Sequence, residues 1–250
     1  MTDIKKIQWK RIGVEVTAIV ASILVAFSID AWWDDRQDRE YELAILSSLL
    51  TEFEQTRKNV DDILSFQVAI LDSVQQLLLL SVDENPAISN IELDRLLLDQ
   101  RWGSSPDRFA APELKSVIAR GDLRLISNKE LREDLRAWPA RLTWISKALA
   151  EDLQFTSTVT DPYFREYLSL LQLHVAMTHR PGDSTYVPKK PAVKPKESVS
   201  HIPILAEKYF QNIMAQRHDL LSEIINLGRE PELPQQLDET IEILREEVGR

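Results

Sequence analysis

The chain of 250 residues contains no cysteine. Disulfides, thiolate metal sites and cysteine nucleophiles are therefore excluded, and an oxidising compartment is compatible with the absence without being required by it. Glycine is scarce, at six residues, and none of the six belongs to a G-x-x-x-x-G-K-[ST] phosphate loop or a G-x-S-x-G elbow. The four histidines, His174, His179, His201 and His218, carry no zinc signature. His174 and His179 are five residues apart, which does not place them on one helix face, and neither His-Glu-x-x-His nor the Glu-x-x-His of di-iron bundles occurs. Acid pairs such as Glu133/Asp134 and Glu151/Asp152 fall in amphipathic segments, where a solvated face accounts for them better than paired-carboxylate catalysis. No catalytic residue, metal or cofactor is expected, and the chain reads as non-enzymatic.

Charge excludes a further class. The net charge is −10, and the first 33 residues hold four of the 30 Lys and Arg and three of the 40 acids, which leaves the remainder at −11. Phosphate contacts to so acidic a domain are repulsive, so no nucleic-acid partner is expected. The abundance of Leu, Glu, Asp, Arg and Lys favours helix.

The one long apolar run is residues 12–33, IGVEVTAIVASILVAFSIDAWW. Its uninterrupted part, 16–29, covers roughly 21 Å of helix, short of a hydrocarbon core of about 30 Å. The flanks extend it. Trp9 and Trp32 stand 23 positions apart, roughly 35 Å, a separation suited to aromatic anchors at two interfaces. The spacing predicts a transmembrane helix over 12–33 in contact with the lipid bilayer. A cleaved signal peptide and a buried core helix are the rival readings. Against cleavage, Glu15 interrupts the start of the run and a long helical pattern follows without a break. Lys5, Lys6, Lys10 and Arg11 precede the span and Arg36 and Arg39 follow it. That bias predicts residues 1–11 as a cytoplasmic flank and the bulk of the chain on the other side.

Glu15, Ala18, Ser22 and Ala26 recur at helical spacing and share a stripe that continues to Ile29. Small residues let helices approach closely in lipid, and a carboxyl inside a span prefers a partner to acyl chains. The stripe is the candidate transmembrane contact face, for a homo-oligomer or another membrane protein. The alternative is that Glu15 reaches the headgroups and the small residues are incidental.

From residue 34 the pattern stays helical, with Leu43, Leu46, Leu50, Phe53, Val60, Leu64, Leu71, Val74 and Leu78 in steps of threes, fours and sevens. It predicts an amphipathic rod of coiled-coil type to about Leu80, with continuity into the anchor left open. Asp83-Glu84-Asn85-Pro86 ends it. Ser89 and Ser127 open capping boxes with Glu92 and Glu130, and 112–120 is a short helix stopped by Gly121. Pro139 lies inside a stripe that continues in phase, so a kink is expected rather than an end. Thr156 to Thr160 is a β-branched weak point, after which Asp161-Pro162 reads as a new N-cap and first turn. The segment 180–203, with its prolines and Lys189, Lys190, Lys194 and Lys196, reads as a linker. A helix is expected over 203–227, stopped by Gly228, and another over 237–248. The division is thus flank 1–11, span 12–33, helical domain 34–179, linker 180–203 and C-terminal helices 204–250. The fold class is all-α: an anchor continuing into a long amphipathic helix, with four to six shorter helices packed on it.

Two stretches carry a resemblance. Ala26-Phe27-Ser28-Ile29-Asp30-Ala31-Trp32 is similar to the end of the anchor, and Gly121 to Leu131 (GDLRLISNKEL) to a glycine turn and capped helix, in a bacterial family of single-pass membrane proteins of unknown function. That resemblance implies an N-terminal anchor, a helical extracytoplasmic domain, and no known reaction, cofactor or active site; with the charge bias, the expected location is the bacterial inner membrane with the bulk of the chain periplasmic.

Between these landmarks Trp102, Phe109, Arg120, Arg124 and Asn128 cluster in sequence where short elements meet. They are the candidate recognition patch, with the alternative that the aromatics are core and the polar groups fix turns. The functional expectation is a membrane-anchored scaffold or accessory subunit. A ligand-sensing helical bundle is the alternative, and it requires a pocket at a helix junction with convergent polar groups.

Overall fold

The computed structural model describes residues 9–177, 180–182, 187, 189, 191–229 and 232–249, with the side chains of 9–16, 18 and 232 outside that description. Its spine is one helix, α1 (Trp9–Ser81), of 73 residues and roughly 110 Å. No proline and a single glycine, Gly13, occur within it, so nothing in the chain interrupts the hydrogen-bond ladder. Anchor and rod are therefore one element. It ends before an Asx-type turn in which the Asp83 carboxylate accepts from the Asn85 amide at 2.9 Å.

Seven shorter helices follow among the described residues: α2 (Asn90–Asp99), α3 (Pro112–Arg120), α4 (Lys129–Phe155), α5 (Asp161–Tyr167), α6 (Leu170–Ala176), α7 (Lys208–Arg229) and α8 (Glu232–Gly249). No strand occurs among them. α7 and α8 pack on α1, and α4 packs on α7.

On α1 the fully buried line is Glu42, Leu46, Leu49, Phe53, Thr56, Val60, Ile63, Gln67, Ile70, Val74 and Leu77. The steps alternate between four and three, the spacing of a heptad seam. Leu43, Leu50, Leu64, Leu71 and Leu78, which share the helical pattern of the sequence, flank this line and are half-buried. The seam is covered by two clusters. The first joins Leu46–Ile63 positions of α1 to Phe109, Leu114, Leu123, the α4 stripe Leu131/Leu135/Trp138/Leu142, and Leu237, Ile241 and Leu244 of α8. Its centre is Trp138, edge-on to Phe53 at 5.3 Å. The second joins Phe66, Ile70, Val74 and Leu77 to α2, Phe164, Leu173, Phe210 and Met214. Each such side chain contributes about 1.5–3 kcal/mol by leaving water.

Local signals were displaced where a tertiary partner competed. The cap of α4 is Asn128, whose Oδ1 accepts from the Leu131 amide at 3.1 Å. Ser127, the expected cap, instead donates its amide and hydroxyl to Glu42 of α1. α4 continues through Pro139, with the Thr143 hydroxyl donating to the Pro139 carbonyl at 2.6 Å. Asp161 does not cap a new helix. The ladder passes from α4 to α5 through a π-helical turn at Thr156–Thr160, so the β-branched run widens the helix instead of ending it. Asp161 is left to pair with Arg101 at 2.7 Å. Gly121, with φ +76°, does terminate α3. Gly228 does not terminate α7; it is buried in the last turn, where a Cβ would lie 2.5 Å from Leu64 Cδ2. Its smallness serves the close approach of α7 to α1. α8 begins at Glu232, five residues before the expected start.

Candidate functional site

Along α1 three zones follow one another. In the first, residues 17 and 19–38 are exposed on every side. Ile23, Leu24, Val25, Phe27 and Ile29 are each about half to two-thirds accessible. A helix apolar all round is stable when buried or in lipid, and this stretch is not covered by the rest of the chain. By length and composition the helix is able to cross a membrane. On the expected contact face Ser22 and Ala26 are exposed, while the side chains of Glu15 and Ala18 lie outside the described residues.

The second zone is the grip where the domain takes hold of the helix. Glu42 accepts from the Ser127 amide and hydroxyl, and from Arg39 Nη1 at 2.7 Å. Arg39 also donates to the Glu247 carbonyl at 3.0 Å, and Asn128 Nδ2 to the Glu247 carboxylate at 3.0 Å. Burial opposes ionisation of Glu42, yet the Ser127 and Arg39 bonds hold its carboxyl below the usual range. Ten residues further along, Glu52 accepts from the amides of Glu113 and Leu114 at 2.8 and 2.9 Å. It thereby caps α3 from another helix. The residue at the cap position, Ala111, has φ +44° and offers no side-chain acceptor.

The third zone is a cleft of about 410 Å³ against the middle of α1, lined by Lys58, Asp62, Ser65, Phe66, Ser104, Arg108 and the 180–182 segment. Arg180 lies over two rings, 5.0 Å from the Phe66 centroid and 5.5 Å from that of Trp102. Its Nε is buried with no acceptor.

The five residues of the expected recognition patch have divergent surroundings. Phe109 is buried in the first cluster, and Trp102 packs on the second. Arg120 bonds Asp122 and Ser116, and with Asp122 lines a groove of about 510 Å³ beside Asp38 and Tyr41. The Arg124 carbonyl accepts from Arg132 at 3.5 Å, and Asn128 belongs to the grip.

Two buried polar constellations had no sequence signal. Arg217, fully inaccessible, donates to the Thr156 hydroxyl and to the Trp102 carbonyl, and stands 3.4 Å from Asp152. Neither Asp152 oxygen accepts a hydrogen bond, so the pair is ionic by proximity alone. Burial pushes the Asp152 carboxyl up against the pull of Arg217, and pushes the Arg217 guanidinium down. The π turn delivers Thr156 to this arginine. In the second constellation Asp94 and His201 Nδ1 are 2.6 Å apart, His201 Nε2 accepts from the Ser169 amide, and Gln172 binds Asp94 and both backbone groups of Val199. This set fastens residues 199–201, the end of the expected linker, to α2 and α6. No cluster of three or more metal-ligating side chains occurs among the described residues.

No protein-family model matches this chain, and neither a curated protein nor a solved structure does.

Proposed function

We propose that the protein is a single-pass, membrane-anchored, non-enzymatic scaffold or accessory subunit of the bacterial inner membrane, with residues 1–11 cytoplasmic and the helical domain periplasmic. The observation that carries it is the bare apolar stretch on the same unbroken helix whose other half is the core seam of the domain. Such a helix transmits position: whatever turns or tilts the span in the membrane moves the domain with it. The Glu15, Ala18, Ser22, Ala26 stripe is the proposed contact face, toward a second copy or another membrane protein.

Cross-linking of the detergent-solubilised chain tests this. Wild type should give a defined oligomer or a co-purifying membrane partner, diminished by Glu15→Leu and by Ser22→Leu. A monomer without a membrane partner sinks the scaffold reading. Topology is read separately: a cysteine at position 58 should react with an impermeant reagent in cells with a permeabilised outer membrane, and one at position 5 should not.

The cleft favours a second reading, a ligand-sensing domain, because it places convergent polar groups at a helix junction on the spine itself.

A further inference from the structure

We propose that the cleft between the middle of α1 and residues 180–182 binds a small dianion, a phosphate or a dicarboxylate, with Arg180 as its principal cation. The proposal rests on the ligand-sensing reading and is independent of the membrane anchor.

The charge balance of the cleft is opposite to that of the chain. Lys58, Arg108 and Arg180 line it against one carboxylate, Asp62, in a protein of net charge −10. Among the described residues Asp62 engages Arg108, at 3.9 Å and with both side chains nearly half exposed, which neutralises little. Arg180 has no carboxylate partner among the described residues, and its buried Nε has no acceptor. The rings of Phe66 and Trp102 fix the guanidinium plane without cancelling its charge, which leaves its edge for a planar or tetrahedral oxyanion. Water is partly excluded there, so a charge-assisted bond is worth more than on an open surface.

A neutral donor stands ready as well. The Ser104 hydroxyl, buried, accepts from Gln67 Nε2 at 3.3 Å, which leaves its own proton to donate. The segment carrying Arg180 is seated by a glycine. Gly182 has φ +67°, and a Cβ there would lie 2.8 Å from Phe66 Cα. A volume of about 410 Å³ falls at the small end of the range for ligand clefts, roughly 300–1,000 Å³.

The test uses the full chain in detergent, with calorimetric titration and thermal unfolding in sodium phosphate, sodium malonate, and sodium chloride at matched ionic strength. Phosphate or malonate should bind with one-to-one stoichiometry and raise the unfolding temperature where chloride does not. The preferred anion assigns the class. Arg180→Gln should weaken binding by about tenfold or more, the loss of one charge-assisted hydrogen bond, with the helical circular dichroism unchanged. Gly182→Ala should weaken it without removing a charge. If Arg180→Gln does not fold, the exposed pair Lys58→Gln/Arg108→Gln serves in its place. Absence of binding by both anions, equal binding by wild type and variant, or a chloride effect as large as that of phosphate overturns the proposal. Loss of the anion site with membrane retention and cross-linking intact removes the ligand-sensing reading and leaves the scaffold reading standing.

Discussion

The two halves of α1 share a backbone and differ in everything around it. Residues 17 and 19–38 are exposed on all sides and apolar over most of their length, whereas from Glu42 onward a heptad-spaced seam is buried against α2, α4, α7 and α8. The first half has an apolar surface without direction. In the second, polar side chains outside the seam give direction, and the chain's own helices bury it. A helix patterned on one face is stabilised by tertiary contact, and a helix patterned on none requires a different solvent. The boundary between the two regimes is the Arg39–Glu42 grip, where polar bonds to Ser127 and Glu247 replace apolar packing.

Substitutions should separate the halves. Phe53→Ala, in the seam and against Trp138, should lower domain stability by about 3–5 kcal/mol in denaturant unfolding, with no change in membrane retention. Val25→Arg should do the reverse. A charge at the centre of the span costs about 2.5–3.5 kcal/mol for insertion, so alkaline extraction should release more of this variant while its domain unfolds as wild type does. Equal effects of the two substitutions on both measurements would erase the distinction between the halves.

At the boundary, Glu42→Gln should cost about 1–3 kcal/mol, and its cost should depend on pH. The folded carboxyl titrates below its ordinary value of 4.5. The stabilisation is therefore complete above that value and lost as pH falls through the folded one. The wild-type-minus-variant difference should shrink on acidification and stay flat from neutrality to mildly basic pH. Asp152 titrates in the opposite sense, since a raised carboxyl favours the fold at low pH, and it cancels in that difference. Glu52→Ala removes the cross-helix cap of α3 and should cost about 0.5–2 kcal/mol, read as faster amide exchange at Glu113 and Leu114. The smallest effect is at Arg36, whose exposed pair with Glu40 spans one turn of the bare half. Arg36→Ala should change stability by no more than about 0.5 kcal/mol.

Much of this was legible in the linear chain. The all-α class follows from composition and period, and the absence of breakers from 14 to 81 makes a single helix the natural outcome. The stop at Gly121 was readable because only a left-handed residue fits there. The candidate site was less legible. Between a recognition patch and a core-and-turn role the sequence left Phe109 and Asn128 open, because a cluster in sequence says nothing of which side faces inward; the structure makes them core and cap. The cleft joins α1 residues 58–66 to residues 180–182, more than a hundred positions away, and no local pattern links them. Gly228 was read as a stop since glycine ends many helices, while its reason here is a leucine on another helix.

By itself the sequence determined where helices form, where the apolar run lies, and which chemistries are absent, because these depend on backbone propensity, period and side-chain inventory within a few turns. Tertiary structure decided which leucines are innermost, that Glu42 and Glu52 serve partners on other helices, that Asp161 pairs instead of capping, and that Arg180 lines a cleft whose one carboxylate, Asp62, stands by Arg108. Those outcomes depend on which groups are brought together across long separations, where a better-placed partner outcompetes the local one.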